Sequence, residues 1–394
     1  MTTQLKELFL LDPDVIFLNH GSFGACPRPV FEAYQAWQRR LEKQPVRFLL
    51  DELPHLLRYA RHRLGAYLNV SGDDLVFVPN ATFGVNVVAR SLPLGPEDEV
   101  LTTDHEYGAC DRAWEFNCRQ KGVRYVRQHI SLPVTSAEEL VEQLWQGVTP
   151  RTKVIFLSHI SSFTALRFPV EEVCRRAREA GIVTVVDGAH VPGQLELDIT
   201  AVSADFYTGN CHKWLCAPKG SAFLYARPEV QHLLEPLIVS WGWESDEAID
   251  SQLVQNDGLT RFLRHHQWVG TKDPSAYLTV PHAIDFQAEH NWRKVRQECH
   301  KLAAETLQRI TELTGLSPVY PPDEAFFGQM FVAPLPAVDL SVLKKQLYDA
   351  YKIEVPLLSW QDYHFIRVSV QGYNTQADMD ILLEALATLL PKGG

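Results

Sequence analysis

Lys213 stands in the stretch YTGNCHKWLCAPKG, beside a histidine and ahead of a tryptophan. A lysine in apolar surroundings binds its proton less tightly, and the neutral amine is a nucleophile toward carbonyls. Left alone, such a lysine destabilises the fold, whereas a Schiff base with an aldehyde removes the difficulty. Lys219 precedes a glycine turn into a strand, where its head is easily solvated, so it is the weaker candidate. Asp187 follows IVTVV, at the rim of a buried strand. A carboxylate there needs a cation or a hydrogen-bond donor. A pyridinium nitrogen would serve, and so would an arginine from elsewhere in the chain. His105 follows EVLTT, where it could stack on a flat ring or sit as an ordinary loop histidine. Asn80, Ala81 and Thr82 follow LVFVP at a helix start, which favours an anion through free N–H groups and the helix dipole. A plain helix cap accounts for the same residues. His159, Ser161, Ser162 and Thr164 follow KVIFLS, where a polar turn is the simpler reading, and His190 comes soon after Asp187.

The elements that must position these residues are legible as an alternation. DLVFVP, DEVLTT, VRYVRQHI, KVIFLSHI, IVTVVDGAH, ADFYTG and SAFLYAR read as strands. TFGVNVVARSL, GACDRAWEFNCRQKG and VEEVCRRAREAG read as helices between them. Continuous apolar strands alternating with helices predict an α/β fold with a mainly parallel sheet covered on both faces. In such sheets ligands bind beyond the carboxyl ends of the strands, so the polar residues that follow each strand are the ones that matter. From about Ala276 the pattern changes to a long helical region through Gly315, a few strands and a terminal helix in DMDILLEALATLL. This predicts a large domain over 15–275 and a smaller α+β domain over 276–394, with 1–14 as an N-terminal arm. Helices around Pro29–Lys43 and Leu53–Tyr67 precede the sheet.

Taken together, the chain presents an anion site, a ring-stacking histidine, a buried aspartate and an apolar lysine, each after its own strand. A flat, phosphorylated, pyridine-containing aldehyde uses all four, and that compound is pyridoxal 5′-phosphate.

Composition narrows the setting. The 394 residues are 46% hydrophobic and carry a net charge of −11, which argues against nucleic acid or an anionic membrane as the main partner. No apolar stretch is long enough to span a bilayer, and MTTQLKELFLLDPD does not read as a signal peptide. The seven cysteines form no CxxC pair and read as reduced thiols in a cytoplasmic protein. A zinc site from Cys211, His212 and Cys216 is disfavoured, because adjacent side chains diverge and no second ligand pair has the usual spacing, so no metal is expected.

The motifs FLNHGSFGACP, NATFGVN, DHEYGA, SHISSFTAL, VDGAHVPG, YTGNCHKWLCAPKG, GTKDPSAYL and RVSVQGYN resemble the class V aminotransferase family of fold-type I pyridoxal-phosphate enzymes. Within it the likeness is greatest to isopenicillin N epimerase-like proteins. The resemblance implies a fold with a large cofactor-binding domain and a smaller C-terminal one. It makes Lys213 the Schiff-base lysine, Asp187 the partner of the pyridine nitrogen, and His105 the group stacked over the ring. It puts Ser162 and His190 near the ring hydroxyl, and Ala81, Thr82, Asn210 and His212 at the phosphate. Thr271 would reach the phosphate of a neighbouring subunit, implying a homodimer with shared sites. Arg367, with Asn19, would bind the substrate carboxylate, a role that suits a bidentate guanidinium. Two positions depart from the pattern: Phe163 stands where proline is expected and Lys272 where arginine is expected.

The reaction is not fixed by these residues. Epimerisation at the α-carbon of an amino acid needs a second proton-transfer group besides Lys213, for which His105, Tyr107 or a water are candidates. A C–S β-lyase on a cysteine-derived substrate, of the hercynylcysteine sulfoxide lyase kind, needs only Lys213 and a leaving group. An aminotransferase and an inert cofactor-binding protein are further alternatives. A persulfide-forming desulfurase is disfavoured, since none of Cys26, Cys110, Cys118, Cys174, Cys211, Cys216 and Cys299 lies where the acceptor loop would fall.

Overall fold

The computed structural model describes residues 5–243 and 259–391. Residues 1–4 of the expected arm, 244–258 of the expected large domain and 392–394 of the expected small one lie outside them.

Seven of the strands form one sheet: β2 (Leu75–Val78), β3 (Glu99–Thr103), β4 (Arg124–Gln128), β5 (Thr152–Ser158), β6 (Val183–Asp187), β7 (Phe206–Asn210) and β8 (Ala222–Ala226). Their order is β2-β8-β7-β6-β5-β3-β4. All neighbours are parallel except where β8 meets β7 and β2, so β8 alone runs backwards. Alternate residues of β5 enter separate cores. Val154 and Phe156 join one cluster with Val85, Val88 and Trp114, while Ile155 and Leu157 join the larger cluster on the other face. A sheet covered on both faces is why these strands read as unbroken apolar runs.

The register decides where the polar ends fall. Ser158 pairs with Asp187 and Asp187 with Thr208, so β5 and β6 end level and β7 runs two residues further, to Asn210. The helix Ala81–Ser91 starts beyond the end of β2, capped by the Asn80 side chain, which accepts from the Phe83 N–H at 2.9 Å.

The long helical region expected after Ala276 is three helices: Ser275–Leu278, Val280–Glu289 and Trp292–Thr314. The second break falls at Asn291, which takes a left-handed conformation (φ 48°). Asparagine tolerates that region better than most residues. Val280–Glu289 packs on the helix Leu53–Leu68, whereas Trp292–Thr314 packs on β9 (Met330–Leu335). β9, β11 (Leu357–Trp360) and β12 (Tyr363–Ser369) form an antiparallel sheet in the order β11-β12-β9. The terminal helix spans Gln376–Leu389 and opens with a capping box between Thr375 and Asp378. Distant segments meet: β1 (Ile16–Phe17) runs parallel to β10 (Ile353–Glu354). No helix among the described residues is long and apolar enough to cross a membrane.

Candidate active site

A cavity of about 490 Å³ opens at the carboxyl ends of β5, β6 and β7, lined by Lys213, Asp187, His190, Asn210, His212, Ser162, Ala81 and Thr82 among others. Eight of the residues expected from sequence are thus brought together.

Lys213 follows β7 on a turn held from both sides by glycines that no other residue could replace. Gly24 has φ +70°, and a Cβ there would meet the His212 carbonyl oxygen at 2.1 Å. Gly193 has φ +90°, and its Cβ would meet the Trp214 carbonyl oxygen at 2.2 Å. Such close approach of two backbones is possible only without a side chain. The Lys213 amine lies 3.1 Å from His190 Nε2. Burial lowers the lysine to about 8, with Asp187 opposing and Arg367 adding to the fall. The same burial takes His190 well below its ordinary value, so the imidazole is neutral. The Trp214 indole N–H donates to His190 Nδ1 at 3.4 Å, so neutral His190 carries its proton on Nε2 and donates to the amine.

Asp187 ends β6 at 2% exposure. It accepts from the Ala189 N–H at 2.9 Å, and the Cys110 thiol lies 3.4 Å from its other oxygen. No arginine or lysine forms an ion pair with it among the described residues. Desolvation raises its pKa. A cationic ring nitrogen would relieve that penalty.

At the start of the helix Ala81–Ser91, the Asn210 side chain accepts from the Ala81 N–H at 2.9 Å. This corrects one expectation: the Ala81 N–H is already taken, and Thr82 supplies the open N–H of the first turn together with its hydroxyl. His212 turns Nδ1 to the Ser221 carbonyl at 2.9 Å, leaving Nε2 for the cavity.

His105 is not at the cavity. It has 0% exposure. Its Nδ1 pairs with the Thr164 hydroxyl at 2.9 Å and its Nε2 with the Ile130 carbonyl at 3.0 Å. Its ring packs against Trp360, 4.4 Å between centroids. The backbone turns here because the His105 N–H bonds the Thr103 hydroxyl. The residue after β3 that does line the cavity is Tyr107, 44% exposed. Both the ring-stacking role and the proton-transfer role expected of His105 fail on this geometry.

Arg367 is 5% exposed and comes from β12 of the antiparallel sheet. Its guanidinium donates to the Ser162 carbonyl and, at 2.9 Å, to the Ser22 hydroxyl. Both serines line the cavity. No carboxylate pairs with it among the described residues, and its Nε has no partner. Burial lowers it to about 10. A buried guanidinium without an acid suits an incoming carboxylate. Asn19 lies one residue back from the cavity. It accepts from the Ser22 hydroxyl and donates to Glu354 at 3.0 Å, so it orients Ser22 rather than lining the site itself.

Thr271 is exposed and outside this cavity. Lys272 sits 4.8 Å above the Tyr277 ring, and burial lowers it to about 8. Phe163 packs against the main core cluster, not the cavity. Sequence reading missed Ser22, although it stands within the motif FLNHGSFGACP. It also missed Glu106, buried behind the cavity wall. Glu106 accepts from Ser158 at 2.6 Å and Thr103 at 2.7 Å, and burial pushes it up to about 8. An acid inside an apolar-flanked motif was the available signal.

A mainly parallel sheet with a buried lysine, a strand-end aspartate and an open helix start at one cavity defines a pyridoxal-phosphate enzyme of fold type I. The chain belongs to the aminotransferase class-V family, whose model matches residues 24–382. It is 39% identical to the isopenicillin N epimerase of Amycolatopsis lactamdurans, covering 98% of this chain and 97% of that protein. It is 35% identical to the Streptomyces clavuligerus enzyme of the same name, over 98% of each. Hercynylcysteine sulfoxide lyase of Schizosaccharomyces pombe is similar at 26%, over 95% and 94%. In fold, a cysteine desulfurase from Escherichia coli matches with a TM-score of 0.83 at 21% identity, over 99% of both chains.

Proposed function

We propose that this protein epimerises the α-carbon of an amino-acid substrate of the isopenicillin N type. The observation that carries the reading is that two groups able to move a proton, Lys213 and Tyr107, line one cavity. Epimerisation needs both a base and an acid at the same carbon, which a lone lysine supplies less readily.

The residues fit the cofactor. Lys213 would hold its aldehyde, and Asp187 its pyridine nitrogen. Ser162 and His190 would meet the ring hydroxyl. Thr82, His212 and Asn210 would surround the phosphate, with Ala81 fixing the start of the helix. When bound, pyridoxal phosphate withdraws electrons and so acidifies the α-hydrogen of an attached amino acid. The protein's own residues decide the outcome. Arg367 orients the substrate carboxylate, with Ser22 held in place by Asn19. His190 donates a hydrogen bond from Nε2 to the Lys213 amine and so favours the neutral form, ready to take a proton. Tyr107 returns a proton from another direction.

The division into 15–275 and 276–394 is proposed with one exchange, since Ile16–Phe17 pairs with Ile353–Glu354. A homodimer is proposed from exposed Thr271 and the family likeness, and a cytoplasmic setting from seven free cysteines.

The test incubates the reconstituted enzyme with isopenicillin N in deuterated water, beside a panel of cysteine conjugates. Solvent deuterium at the α-carbon with loss of chirality, and no pyruvate, is the expected result. Tyr107→Phe should keep exchange on one face and lose inversion. Pyruvate release from a cysteine conjugate, with no inversion of isopenicillin N, would establish the lyase reading instead. Borohydride trapping should leave the cofactor on the peptide containing Lys213, and finding it on Lys219 would overturn the assignment.

A further inference from the structure

On the far side of the His190 loop lies a second concavity, of about 300 Å³, that the proposed chemistry does not use. One face of the helix Trp292–Thr314 supplies Arg293, Arg296 and His300 at helical spacing. Arg167 faces them from the segment after β5. Glu196 and Glu324 also line the cleft, but no arginine there holds either carboxylate closely. Arg296 has a long contact of 3.8 Å to Glu196, whose side chain is 82% exposed. Arg167 donates only to the main-chain oxygen of Glu324, at 3.3 Å. Arg293 meets no carboxylate among the described residues. Elsewhere on this acidic chain, arginines such as Arg127, Arg175 and Arg227 hold carboxylates at 2.6–2.8 Å. His300 commits Nδ1 to the Gly328 carbonyl at 3.0 Å and leaves Nε2 available.

The floor is rigid and polar. Gln194, 2% exposed, donates to the His190 carbonyl at 2.7 Å and accepts from the Gln329 N–H at 2.9 Å. Gly328 is needed for this approach, since a Cβ there would lie 2.9 Å from the Gln194 oxygen.

We propose that this cleft binds a small molecule bearing at least two oxyanion groups, phosphate or carboxylate. Three guanidiniums around a space of this size offer more donors than one monovalent ion can use, and their planar forks match both groups.

The test uses the holoenzyme, so that the cofactor phosphate fills its own cradle. Inorganic pyrophosphate and citrate are titrated separately by calorimetry, with potassium chloride at matched ionic strength. Saturable binding of at least one is expected, with the preferred arm identifying the oxyanion. Arg293→Gln with Arg296→Gln should weaken it by about tenfold or more, the loss of a charge-assisted contact. Exposed Arg293→Gln alone should weaken it less, and it guards against a folding defect in the double variant. Equal binding by parent and both variants would overturn the proposal. So would a parent response that potassium chloride reproduces, which marks an ionic-strength effect only.

Discussion

Arg367 and Glu106 are both buried charges-in-waiting, and they call for opposite experiments. Arg367→Ala removes the guanidinium that bonds Ser22 and Ser162. An accepted amino acid should then bind roughly tenfold to over a hundredfold more weakly, from the loss of about 1.5–3 kcal/mol. Arg367→Lys should recover only part, because the fork is lost. Cofactor content should stay that of the parent, and unchanged amino-acid affinity in Arg367→Ala would place the carboxylate elsewhere. Glu106 is held near 8, above its ordinary value, so it is protonated when folded across a range where the unfolded chain has ionised it. Its contribution to stability is therefore full below about 4.5 and is lost as pH rises toward 8, by up to about 1.4 kcal/mol per pH unit. Glu106→Gln should abolish that fall. Denaturant midpoints of parent and variant should diverge between pH 5 and 8, the variant being the more stable at the upper end. Parallel curves would show that Glu106 is ionised in the native protein.

At the scale of elements, the helix Ala81–Ser91 depends on two asparagines from different strand ends. Asn210→Ala should cost about 1 kcal/mol, as for other lost caps, read by denaturation of the cofactor-free protein. Asn210→Asp keeps the acceptor for the Ala81 N–H but sets a negative charge at the helix start beside the proposed phosphate position. It should restore the stability while releasing cofactor more readily on dialysis. If both variants retain cofactor like the parent, Asn210 has no part in the cradle. The strands that end here were readable in advance because a strand buried on two faces is uniformly apolar, and its first polar residue marks the rim. Lys213, Asp187 and His190 were found that way. The same rule misled at His105, because spacing says which residue follows a strand but not which side chain turns inward. That was decided by Thr103, Thr164 and Ile130, the last two from distant segments. The contact of Arg367 with Ser22 was equally invisible, since only the folded chain brings β12 to the N-terminal segment. The break at Asn291 lacked the glycine or proline that usually announces one.

At the scale of the whole molecule, part of the cavity rim is exposed. Exposed Thr271, with Phe23 at 74% exposure on the cavity rim, is consistent with a second copy closing it. Sedimentation should give a dimer at micromolar concentration, and Thr271→Ala should raise the rate of cofactor loss without dissociating it. A fully active monomer would remove the shared-site reading. This meeting of early and late segments has a consequence for biosynthesis. The strand pair of Ile16–Phe17 with Ile353–Glu354, and the grip of Arg367 on Ser22, join segments more than three hundred residues apart, the one made well before the other. On the ribosome the sheet and its lysine can form early, since domains fold in order of emergence. The carboxylate-binding half cannot assemble until β12 has left the exit tunnel. A nascent chain is thus able to acquire its cofactor before it has anywhere to seat a substrate, which delays chemistry until β12 has emerged.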